Sequence, residues 1–337
     1  MIYGERIKQA REFKGLNQTQ LANIIGVKQA AISGMEYNEF TPSESILKEI
    51  AIQTGFLPSF FELPPDDNLA VGSLNYRSRV SATARDEIRV YQYANLLYQQ
   101  VKRNCMDTVM VTNRIPQLSN APIQQAVRIT RDELGLTQNE PIKKLLRTIE
   151  NGGVIILNLP RNIPKIDAFS TWAQLDEERP IIALMAGRPM DRIRFNVAHE
   201  LGHLVLHKSL RSSLKLVENE ANEFASAFLL PELAMREEMR SPITLTLLAK
   251  MKLRWGVSMQ SLIMRAYGLG IITQRQARYL FSQISAQGWR KEEPVELIVE
   301  LPRVVRTIIE SKYRTREDYA LDARMSIDTA TEFYAYA

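Results

Sequence analysis

The stretch FNVAHELGHLVLH, Phe195 to His207, holds all three histidines of a 337-residue chain. His199 and His203 stand four positions apart, so a helix here turns both imidazoles to one side. Glu200 follows the first histidine and points along a different radius. His207 lies two turns from His199, roughly 12 Å along the axis. No glycine follows to bend the chain back, so His207 is expected to cap the helix C-terminus or to support the other two. Two converging imidazoles need a further donor, so the fold must bring a second helix alongside this one.

Two imidazoles and a carboxylate suit zinc, with a fourth position left for water. The metal lowers the pKa of that water to about 7, and Glu200 is placed to take its proton, which is chemistry fit for peptide hydrolysis. Cys105 is the single cysteine. It excludes an internal disulfide and leaves histidine and carboxylate as the metal donors. The donor helix is expected in LVENEANEFASAFLLP, Leu216 to Pro231, where Ala221, Phe224, Ala225 and Phe228 form a packing face. Glu220 opens that face, and Glu218 and Glu223 compete for the same role. A helical Glu about 17 residues after the motif fits a gluzincin-like plan.

Ahead of the histidines, Ile123–Leu134 and Ile142–Ile149 read as helices, and Gly152–Gly153 as a turn. The runs VIILNL, IDAFSTWAQL and RPIIALM read as strands of a small antiparallel sheet, with Asp176–Glu177–Glu178 at a turn. The double glycine is followed by no Lys-Ser/Thr, which excludes a phosphate loop.

The first sixty residues read as short helices. Ile7, Ala10 and Phe13 make one stripe, and Asn17 caps a helix from Gln18 to Ile25. Gly26–Val27 turns the chain, and a further helix runs from Lys28 to about Met35. Another follows Thr41–Pro42–Ser43 and ends at Gly55. Two short helices about a glycine turn form a helix-turn-helix whose second helix can enter a major groove. Gln29 suits adenine, Lys28 and Ser33 reach phosphate or base edges, and Gln18 approaches a backbone phosphate. The stretch NQTQLANIIGVKQAAIS resembles the XRE or Cro-type phage-repressor domains over about 60 residues. The following GMEYNEFTPS departs from the usual Glu-Asn-Gly turn.

RFNVAHELGHLVLH followed by ENEANEFASAFLLP resembles the ImmA/IrrE family of zinc metallopeptidases. IDAFSTW and RPIIALM look like that family's strands, and KLRWGVSMQSLIMRAYGLGIIT with GWRKEEP is similar to its longer members. The resemblance covers most of residues 1–300. In that pattern the Glu before Ala-Asn is a metal ligand, which favours Glu220. It implies an XRE domain followed by a peptidase, as in prophage and mobile-element regulators.

Residues 1–65 hold six basic and seven acidic side chains, whereas residues 240–317 hold fourteen and six. The basic excess near the C-terminus favours nucleic acid or an acidic protein partner, or else marks a solvated helix surface. Arg254, Arg265, Arg275 and Arg278 are its candidate contacts. Thr246 to Gly270 echoes a second helix-turn-helix with Ser258 as cap, and a helical support is the expected role. The last twenty residues carry no readable chemistry. No signal peptide and no apolar run of membrane length is apparent, which suggests a cytoplasmic protein.

These readings give a mainly α fold of the α+β type. An N-terminal five-helix helix-turn-helix domain spans 1–65, and a linker with a long helix spans 66–122. A zincin-like peptidase domain with the small antiparallel sheet and HExxH helix spans 123–240, and a helical region spans 241–337. The implied protein is a DNA-binding transcriptional regulator, expected as a homodimer on an operator, fused to a zinc endopeptidase that cleaves a repressor or antitoxin-like protein. The alternative is a regulator that uses the zincin-like domain as a metal or ligand sensor. The expected metal ligands are His199, His203 and Glu220, and the expected general base is Glu200.

Overall fold

The computed structural model describes residues 1–66, 68–69, 83–105, 111–159, 167–175, 177–208, 214–240 and 242–336. Asp176 of the expected turn lies outside them. Four helices open the chain: α1 (Gly4–Phe13), α2 (Gln18–Ile25), α3 (Gln29–Glu36) and α4 (Glu44–Thr54). The fifth helical element is a 3-10 turn, Pro58–Glu62. Asn17 and Gln20 close a capping box on α2, satisfying donors that a helix start leaves unpaired. Gly26 then takes φ 72° and makes the sharp turn into α3.

Helix α5 (Ala84–Cys105) is amphipathic. Its inward face is Val90, Tyr93, Ala94, Leu97 and Val101, whereas Ile88 is exposed. Helices α6 (Ile123–Glu133) and α7 (Leu145–Asn151) follow, then strands β1 (Ile155–Leu159), β2 (Ala168–Gln174) and β3 (Glu178–Met185). The strand order is β1-β3-β2. The β2–β3 pair is the expected antiparallel hairpin, but β1 runs parallel to β3, so the sheet is mixed rather than antiparallel.

This sheet divides two cores. Ile155, Leu157 and Leu159 face a core shared with α1–α5. Ile156, Ala168, Ile182 and Leu184 face the other, built on α8 (Met190–Leu206) and α9 (Leu214–Leu229). Covering both faces explains why the strands read as continuous apolar runs. Helices α10 (Glu232–Glu238), α11 (Leu245–Trp255), α12 (Met259–Gly268) and α13 (Gln274–Ala286) extend the second core.

The chain then returns to the first core through α14 (Val304–Lys312), α15 (Arg316–Asp322) and α16 (Ile327–Tyr336). Helices α15 and α16 repeat the α2–turn–α3 pattern at a constant offset. Thr315 matches Asn17 as a capping-box residue, and Arg324 matches Gly26 with φ 54°. Buried Tyr319, Ala320, Ala330 and Phe333 match Leu21, Ala22, Ile32 and Met35. The two units are tied by Leu57 N–H to the Arg324 carbonyl and Ser326 N–H to the Gly55 carbonyl, each at 2.9 Å. The last twenty residues thus complete the N-terminal core.

Candidate functional site

Helices α8 and α9 pack antiparallel, and their pairing runs turn by turn. His203 meets Glu218, and His199 meets Asn222. Gly202 lets the pair approach closely, since a Cβ there would stand 3.1 Å from the Phe224 ring. The two imidazole Nε2 atoms lie 2.8 Å apart. The Glu218 carboxylate lies 3.5 Å from His199 Nε2 and 3.2 Å from His203 Nε2. One donor atom from each of the three residues falls within 4.8 Å of the others. Burial alone would raise the Glu218 carboxyl, whereas imidazoles protonated on the facing nitrogens would hold it far below the usual carboxylate range.

The structure brings Glu218 rather than Glu220 to the His199–His203 pair. Glu220 Oε2 instead lies 2.9 Å from His207 Nε2, and His207 Nδ1 lies 3.1 Å from His203 Nδ1. Glu223 lines a neighbouring cleft. His207 is the C-cap of α8, with its N–H on the His203 carbonyl. Burial lowers its pKa, against the pull of Glu220.

The carboxylate–His207–His203 chain fixes a tautomer. Glu220 accepts from His207 Nε2–H, so His207 Nδ1 accepts from His203 Nδ1–H and leaves the His203 Nε2 lone pair for a cation. Asn222 Oδ1, 2.8 Å from His199 Nδ1, does the same for His199. Three donors converging with lone pairs forward fit a divalent ion that prefers imidazole and carboxylate.

Glu200 is fully buried beside the pair. Ser170 on β2 donates to Glu200 Oε2 at 2.8 Å and approaches its carbonyl at 3.2 Å. Trp172, also on β2, donates to the Leu204 carbonyl at 3.2 Å. The edge strand thus holds the motif helix at two points. Ser170 and Asn222 escape a reading by spacing, because only tertiary packing brings them to the motif.

At the other end of the chain, Lys28 and Gln29 are exposed at the start of α3, and Gln18 and Ser33 are half-buried. Gln29 Nε2 donates to Gln18 Oε1 at 2.7 Å, and Gln18 Nε2 donates to Glu36 Oε2 at 2.8 Å. Arg11 holds Glu36 through two contacts. This chain of bonds poses Gln18 and Gln29 as a unit on the exposed edge of α3. Of the basic residues in the C-terminal region, Arg265 is buried on the Leu230 carbonyl, and Arg254 pairs with Glu238.

Among the described residues, no helix is long and apolar enough to cross a membrane. Residues 150–267 match the IrrE N-terminal-like domain, a peptidase M78 family, and residues 7–59 match a helix-turn-helix family. Curated proteins give no significant match. Among solved structures, ComR from Streptococcus suis aligns over 98% of this chain and 86% of its own, with 12% identity. Its TM-score is 0.16. Two segments thus match, a helix-turn-helix model at 7–59 and an IrrE N-terminal-like model at 150–267, in the order that the ImmA/IrrE resemblance implies.

Proposed function

We propose that this protein is a cytoplasmic transcriptional regulator that reads an operator through α3 and cleaves a regulatory protein, a repressor or antitoxin, with a zinc-dependent endopeptidase site. The observation that carries the reading is the group His199, His203 and Glu218 with Glu200 beside it. His199, His203 and Glu218 would hold the ion. When bound, zinc supplies Lewis acidity that polarises a peptide carbonyl and acidifies a water. The Glu200 carboxylate accepts the proton of the attacking water and delivers it to the leaving amide nitrogen. Ser170 orients Glu200 for that transfer, and Glu220 acts through His207 to position His203. Gln18, Lys28, Gln29 and Ser33 are the proposed operator contacts, with Gln29 on a base edge and Lys28 on phosphate.

The test incubates zinc-loaded protein with helix-turn-helix repressors and antitoxins from the source cell, beside Glu200→Gln. The variant should keep its zinc and its salt-dependent operator binding and lose cleavage by about 100-fold or more. Equal cleavage by both proteins would remove the endopeptidase assignment. Zinc uptake and operator binding without cleavage of any candidate would favour the sensor reading.

A further inference from the structure

A cleft of about 530 Å³ opens between α9 and α12, with Phe195, Leu229, Leu230, Val257, Met264 and Phe281 among its walls. Its floor is buried, with Leu229, Leu230 and Val257 at 1–2% exposure, while Met264 is 57% exposed at the mouth. Asn222, Glu223, Gln260 and Ser261 make a polar rim.

The antiparallel register of α8 and α9 places this cleft next to the metal group. Successive turns pair His203 with Glu218 and His199 with Asn222. The next turn brings Phe195 opposite Ser226, and both line the cleft. Asn222 belongs to both places: its Oδ1 meets His199 Nδ1, and its side chain forms part of the rim. Four helix positions advance about 6 Å. An extended chain advances about 3.3 Å per residue. A side chain in the cleft is therefore one or two positions from a bond held at the metal group.

The wall from α12 is entered through Gly256 at φ 67° and capped by Ser258, as a recognition helix is entered through a glycine turn. Its N-terminus is closed to phosphate, because the Met259 and Gln260 N–H groups point to the Glu293 carboxylate at 2.9 and 3.4 Å. Gln260, Ser261 and Met264 on this helix line the cleft.

We infer that this cleft is a specificity subsite of the proposed peptidase, and that its occupant is a large aliphatic or aromatic side chain of the cleaved polypeptide. The inference rests on the endopeptidase reading and adds the substrate class. The apolar floor selects Leu, Met or Phe, the amide and hydroxyl rim suits the peptide backbone, and the Glu223 carboxylate rejects an acidic side chain.

The test measures binding of dipeptide hydroxamates to the zinc-loaded full chain by calorimetry. The compounds differ only in carrying Leu, Phe, Ala or Asp at one of the two positions nearest the zinc-binding group. The Leu or Phe compound should bind about 10- to 100-fold tighter than the Ala compound, with Asp weakest. Met264→Glu at the exposed mouth and Ser226→Trp inside should each erase that preference and leave zinc content and Ala-compound affinity unchanged. Equal binding of the Leu, Phe and Ala compounds by a zinc-loaded chain overturns the subsite and leaves the metal centre standing. A preference that survives both substitutions does the same. A chain that takes up no zinc overturns both readings.

Discussion

Glu218 and Glu220 stand two positions apart on α9 and meet different histidines. Successive helix positions are about 100° apart, so two positions turn a side chain by roughly 200°. The sequence shows three acidic residues on one short helix but not its rotation, which is set where Gly202 admits the Phe224 ring. The His-Glu-x-x-His spacing was fully readable, because it depends only on one helix. Which carboxylate joins the two imidazoles depends on how two helices meet. Glu218→Ala should therefore weaken zinc binding by more than 100-fold in a competitive chelator titration. Glu220→Ala should weaken it about 10-fold, the effect of losing support one shell out. A reversed order of the two losses would favour Glu220 over Glu218 as the carboxylate donor.

At the scale of elements, the motif helix is held by a strand on one side and a helix on the other. Apolar runs announced the three strands, but their direction was not readable from them. The short β2–β3 turn forces an antiparallel pair, whereas β1 joins the far edge of β3 and runs parallel to it. The α8–α9 contact is the element boundary on which the site depends most. Gly202→Val puts branched bulk where even a single Cβ is tight, against Phe224, which is fully buried. Overpacking of this kind typically costs about 1–3 kcal/mol. Urea unfolding should show that loss. Zinc affinity should fall with it, because the helices must separate and Glu218 withdraws from the imidazoles. Unchanged affinity in a destabilised protein would mean that the donors sit on a locally adjustable part of α9.

Across the whole molecule, both ends of the chain share one core, with the peptidase-like domain lying between them in sequence. Phe333 stacks on Tyr93 at 4.4 Å between centroids and lies 5.5 Å from Phe13 of α1. The pattern behind this was present in Thr315 to Tyr334, but Arg324 replaces the turn glycine and small alanines replace the usual aliphatic positions, so it does not announce itself. Ile155, Leu157 and Leu159 of β1 line the same core, so α16 touches both the helix-turn-helix body and the sheet that backs the metal group. Phe333→Ala removes a fully buried ring, a change that costs about 3–5 kcal/mol. The loss falls on the core that holds α1 to α4, so thermal unfolding should move down by several degrees, and operator affinity should fall at temperatures where the wild type still binds. Zinc stoichiometry should stay the same, since every donor of the metal group sits in the second core or at its edge. A variant that kept its operator affinity through that shift would show that α1 to α4 fold and read DNA without the C-terminal helices, and the shared core would then be a matter of packing alone.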